Sequence, residues 1–195
     1  GPTRVRLQAP APMDVPLRRE QTEAGHSLWH GDVLIAESAA AALKISDDEI
    51  PTPASVDGGR PALLPELHPF PACFVCGHER EHGDGLCIFP SVVGSDGVVA
   101  TSWTPPGTDG PVDPKLLWAA LDCPGAWAYC ADGELTPMVL GQLTVDHRAE
   151  LRVGQPATVV GWRRGAEGRK HFAGTAIWAG ERLIAVGEAV WITVD

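Results

Sequence analysis

Residues 73 to 87 read CFVCGHEREHGDGLC and hold three cysteines and two histidines. Thiolate and imidazole are ligands that zinc takes, and Cys73 and Cys76 have the C-x2-C spacing of many such sites. Two further ligands would come from His78, His82 and Cys87. No second C-x2-C or H-x3-H pair accompanies them. The same residues also fit buried thiols that behave as small hydrophobes, in a loop where Gly77 permits one tight turn and Gly83 and Gly85 bracket another. The expectation is the latter, with no metal and no cofactor.

The second residue with chemical potential is Asp122, the sole acidic group at the end of the apolar run in KLLWAALD. A buried carboxylate is costly unless it is paired or protonated, so its presence needs a reason. It can act as a catalytic base or nucleophile, or it can brace a neighbouring loop by accepting N–H bonds near Pro124. Arg163, Arg164 and Arg169, with Lys170, crowd one stretch of chain. They suit an anion such as a nucleotide phosphate, or simply loop solubility. His147, between Asp146 and Arg148, fits a solvated strand face.

These residues need elements to hold them. Asp113 followed by Pro114 predicts a helix start, and Leu116 to Leu121 leave no polar face, so the helix should be enclosed by protein. Pro124-Gly125 should interrupt it before AWAYC. Strand-like runs follow at 138–151, 156–164 and 170–194, the last a hairpin turning at Gly180-Glu181. LCIFP (86–90) and GVVATSW (97–103) read as strands around a Gly94 to Gly97 turn. Towards the N-terminus, strand-forming segments at 4–8 and 26–38 include a turn at His30-Gly31-Asp32. From 43 to 71 six prolines and a Gly58-Gly59 pair deny continuous helix or central strand. The division expected is a strand-forming extension (1–42), a Pro-rich linker lying over a surface (43–71) and a main domain (72–195).

A length of 195 residues suits one core, and a net charge of −10 disfavours nucleic acid and anionic membranes. Five cysteines, an odd number in a mid-sized chain, argue for reduced thiols rather than a disulfide framework. No apolar run reaches bilayer-spanning length and no signal peptide is evident, so a cytoplasmic protein is expected.

An enclosed helix among antiparallel strands implies an α+β design in which a sheet wraps the helix. That order, over roughly 68–195, resembles the hotdog fold. CFVCG...GDGLCIFP resembles the CFGCG...NPxGL opening of thioesterase-like hotdog proteins, and GRKHFAGTAIWAGERLIAVGEAVWI resembles their closing hairpin. The whole chain is similar to a group of actinobacterial members of that superfamily. The resemblance implies a curved antiparallel sheet around a central apolar helix, here with an N-terminal β-hairpin extension, and a homodimer. It implies hydrolysis of an acyl-CoA or acyl-carrier thioester, with Asp122 as the catalytic carboxylate. Where the family has HGG, this chain has Asp113-Pro114-Lys115, which removes the histidine, both glycines and one N–H donor. The N–H groups of Gly77, Lys115 and Leu116 are then the candidate oxyanion donors. His68 and His78 lie near the loop that would approach the helix start in a hotdog dimer, His78 being the stronger candidate, and Arg163, Arg164 and Arg169 lie where such proteins often meet the phosphates of coenzyme A. The competing readings are a non-catalytic hotdog binding an acyl or aromatic ligand, a dehydratase or hydratase, and a zinc-stabilised interaction module.

Overall fold

A computed structural model describes residues 1–52, 59–81, 83–93, 97–132 and 137–194. Its strands, in chain order, are β1 (Thr3–Leu7), β2 (Arg18–Gln21), β3 (Gly25–His30), β4 (Val33–Ala40), β5 (Arg60–Pro61), β6 (Ser91–Val92), β7 (Val99–Trp103), β8 (Met138–His147), β9 (Ala157–Glu167), β10 (Lys170–Ala179) and β11 (Arg182–Thr193). All join one sheet in the order β2-β3-β4-β1-β8-β11-β10-β9-β7-β6-β5, and every pairing is antiparallel. The long strands β8 to β11 occupy its middle, where alternating small and bulky residues let the sheet curve.

Inside the curve lie α1 (Pro114–Ala120), α2 (Pro124–Trp127) and a 3-10 turn at Ala128–Cys130. Asp113 caps α1 by accepting the Lys115 N–H on Oδ1 at 3.0 Å, as the Asp-Pro pair predicts. The helix is interrupted over residues 121–123, slightly earlier than expected, and Pro124 and Gly125 open α2 rather than separate it from α1, because proline suits a first helical turn. Leu117, Ala120 and Leu121 are buried against the sheet with Trp127 and Ala128. At Gly161 the approach is so close that a Cβ would overlap the carbonyl oxygen of Pro124.

The N-terminal segment continues the sheet. β1 lies between β4 and β8, with Val5 opposite Ser38 on one side and Leu143 on the other. The β3–β4 hairpin turns at Gly31, φ +58°, in the predicted position. β2, with the sequence RREQ, is exposed throughout and has no hydrophobic alternation to announce it. The 43–71 stretch contributes to both faces of the sheet. Ile45 and Ile50 pack on the convex side with Val160, Trp162, Ala176 and Val186, while Ala62 and Leu63 enter the concave core.

One expected strand does not form. Cys87 has φ +51°, which breaks 86–90 into an irregular segment hydrogen-bonded to the cysteine loop, Leu86 N–H to Phe74 O and Ile88 N–H to Val75 O, both 2.9 Å. Most of the turn expected at Gly94 to Gly97 lies outside the described residues. Among the described residues no helix is long and apolar enough to cross a membrane.

Candidate active site

Leu121 caps the C-terminus of α1, and the next side chain, Asp122, faces a cleft of about 200 Å³. Val5 and Leu7 of β1, Trp118 and Ala119 of α1, and Leu140 and Leu143 of β8 complete its walls. Among the described residues Asp122 is thus the one titratable group of an apolar cleft, one wall of which comes from the N-terminal extension. Its Oδ1 is fully enclosed and has no hydrogen-bond partner among the described residues. The Gly125 N–H, which a bracing carboxylate would capture, goes to the Asp122 main-chain carbonyl at 3.3 Å. Burial first, then the nearby charge of Cys73, pushes the carboxyl up to about 7. A carboxyl in that range exchanges protons readily near neutrality.

The three candidate oxyanion donors are occupied elsewhere, and none lines this cleft. The Lys115 N–H bonds Asp113 Oδ1 at 3.0 Å, the Leu116 N–H bonds Asp113 O at 2.9 Å and the Gly77 N–H bonds Cys73 O at 2.9 Å. Lys115 also pairs its Nζ with Asp113 Oδ2 at 2.9 Å, out in solvent.

The arginines are separated as well. Arg163 and Arg164 are neighbours on β9, at the point where its pairing with β10 shifts register, and they engage different partners. Arg163 donates to Ala128 O and to Asp132 Oδ2, both at 2.7 Å. Arg164 bonds Lys44 O at 2.6 Å, Glu49 Oε2 at 3.2 Å and Glu188 Oε1 at 3.3 Å. Arg169 donates Nε to Thr193 O at 3.1 Å. His78 is exposed, its ring 6.3 Å from that of His68, and His147 is exposed at the end of β8.

A second cluster lies directly behind Asp122. Cys123 comes from the α1–α2 junction, and its Sγ is 3.7 Å from Cys73 Sγ, which is 3.8 Å from Cys76 Sγ. All three sulfurs lie within 4.8 Å of one another. Hydrogen bonding by the Cys123 and Cys76 thiols holds Cys73 well below the ordinary thiol range. His68 places Nε2 3.2 Å from Cys76 Sγ, with its ring 5.3 Å from that of Trp127. Gly77 closes this loop where a Cβ would overlap Pro71 O and the Cys73 backbone. Cys87 is turned towards Arg80 O at 3.7 Å, and His82 lies outside the described residues. The sequence alone does not bring Cys123 or His68 to the cysteine loop, because neither lies within it.

No protein-family model matches the sequence, and no curated protein matches it. Among solved structures, a tesB protein of Mycobacterium avium subspecies paratuberculosis superposes on the whole of this chain and 78% of its own, at TM-score 0.60 and 13% identity. The E. coli PaaI protein from the phenylacetic acid degradation operon covers 60% of this chain and 87% of its own, at TM-score 0.51 and 14% identity. At such identities the likeness speaks of architecture. With the antiparallel sheet wrapped around α1, it shows that the chain has the hotdog fold, extended by four N-terminal strands.

Proposed function

We propose that the chain binds an acyl thioester, carried by coenzyme A or by an acyl-carrier protein, in the Asp122 cleft and hydrolyses it. The observation that carries this reading is Asp122, half-buried at the wall of an apolar cleft, with one carboxylate oxygen, Oδ1, enclosed and without a hydrogen-bond partner among the described residues. The apolar walls suit an acyl group and the carboxylate suits a water molecule. Asp122 takes a proton from that water as its oxygen bonds to the thioester carbon. The carbon–sulfur bond then breaks, and the departing thiolate takes up the proton. The test is a panel of acyl-CoA substrates, short, long and aromatic, followed by chromatography so that the protein's own thiols do not interfere. Turnover in wild type that vanishes in a folded Asp122→Asn variant supports the reading.

The engaged N–H groups of Gly77, Lys115 and Leu116 favour one alternative, a non-catalytic protein that holds an acyl or aromatic ligand. It predicts ligand-induced thermal stabilisation with no turnover on any substrate. A homodimer belongs to the proposal. Because β1 occupies the outer edge of β8, the two-fold contact is expected elsewhere than on that edge. Light scattering distinguishes the 20.6 kDa chain from its dimer.

A further inference from the structure

We propose that Cys73, Cys76 and Cys123 bind a single zinc ion as thiolates, with His68 holding the Cys76 sulfur from outside the coordination shell. Three sulfurs about 2.3 Å from a tetrahedral zinc stand about 3.8 Å apart. The two sulfur pairs with Cys73 in common measure 3.7 and 3.8 Å. Backbone geometry converges on the same arrangement. Gly77 allows the chain to fold back over Cys73.

The histidine is oriented by its own hydrogen bonds. Its Nδ1 accepts the Phe70 N–H at 2.9 Å, so in the neutral ring Nε2 carries the hydrogen and directs it at Cys76 Sγ. That makes His68 a donor to a ligand rather than a ligand itself. All three cysteines line a cavity of about 70 Å³ shared with Leu63, Phe70 and Met138. The fourth coordination position therefore opens onto space sufficient for a water molecule. The ion ties a loop 47 to 50 residues upstream to Cys123, the residue after Asp122, and so anchors the segment that carries the carboxylate.

The test uses the full chain, reduced and stripped with a chelator, then titrated with zinc and, for its spectrum, with cobalt. Saturation at one equivalent, with thiolate-to-cobalt charge-transfer absorption of three-sulfur intensity and a raised melting temperature, is expected. Cys123→Ser should lose the three-sulfur spectrum, whereas Cys87→Ser and His78→Ala should keep it. His68→Ala should retain the spectrum while zinc affinity falls by about 10- to 100-fold. No metal uptake by reduced wild type overturns the site, and so does an unchanged spectrum in Cys123→Ser. A native Cys73–Cys123 disulfide, found by mass analysis before reduction, also overturns it. Failure of acyl-thioester turnover with zinc bound would sink the hydrolase reading and leave the metal site standing.

Discussion

Thr175 Oγ1, fully buried on β10, donates to the main-chain carbonyl of Leu121 at 2.8 Å. This carbonyl belongs to the last turn of α1, whose acceptors have no partner within the helix. Gly187 on the adjoining strand leaves the room, since a Cβ there would crowd Thr175 Oγ1 at 2.5 Å. The bond pins the helix end to the sheet one residue before Asp122.

Thr175→Val keeps the shape and leaves that carbonyl unpaired. A loss of about 1–3 kcal/mol is expected, read as a melting temperature lowered by roughly 2–4 °C per kcal/mol for a chain of this size. Any thioester turnover should fall in kcat more than it changes in KM, because the carboxylate shifts while the acyl walls remain. Thr175→Ser should restore both, and a Val variant as stable as wild type would refute this account of the bond.

Asp122→Asn should abolish hydrolysis and also stabilise the protein, most clearly in alkaline solution. Burial raises the folded-state carboxyl from 3.8 to about 7. The neutral form is therefore favoured by folding, a contribution fully present below about pH 4 and lost as pH rises through 7. Asparagine does not ionise, so its advantage over wild type should be small at pH 4 and grow to a few kcal/mol above pH 7. Wild-type turnover should increase over the same interval as the base deprotonates. Denaturant melts at several pH values check the stability difference, and a pH-independent gap would contradict the assignment.

Gly161→Ala tests the contact between β9 and α2. The added Cβ would overlap the Pro124 carbonyl oxygen, main chain that has no rotamer by which to yield, so about 1–3 kcal/mol of destabilisation is expected. Gly31→Ala is the comparison. It meets no neighbour, and its φ of +58° exacts only the left-handed backbone penalty of about 1–2 kcal/mol. Both variants would be melted beside wild type. Only Gly161→Ala should also depress turnover, because Pro124 lies two residues from Asp122.

Local signals were the legible ones. Asp113-Pro114 marked the helix start, Gly31 and Gly180 the hairpins, and Asp122 stood out because a carboxylate in an apolar stretch conflicts with its surroundings. The same Asp113 also implied that the first helical N–H was taken, which removes Lys115 as an oxyanion donor. β2 could not be read, because an exposed edge strand of charged residues shows no alternation. Nor could the meeting of Cys73 with Cys123 be read, since only closure of the sheet around the helix brings those segments together. Nor could the separate partners of Arg163 and Arg164 be read, since they are set by distant segments and by a register shift between β9 and β10.

Arg164 should prove structural rather than substrate-binding. Its guanidinium spans Glu49 and Glu188 and bonds Lys44 O, while Glu188 Oε2 also accepts the Lys44 N–H at 2.8 Å. The group thereby fastens the 43–50 segment to the convex face, over Val160 and Val186. Arg164→Ala leaves Glu188 with less compensation in a mostly enclosed setting, for a loss of about 1–2 kcal/mol after allowance for solvent. Faster proteolytic cleavage near residue 50 should accompany that loss, because the strap is released from one end. If Arg164 instead held a coenzyme A phosphate, the variant would raise KM for acyl-CoA and leave KM for the matching acyl-pantetheine unchanged. Equal KM values for both thioesters in variant and wild type, with a lower melting temperature, are the expected result. The ion pairs use the guanidinium's donors on protein acceptors, and binding a phosphate would require breaking them first.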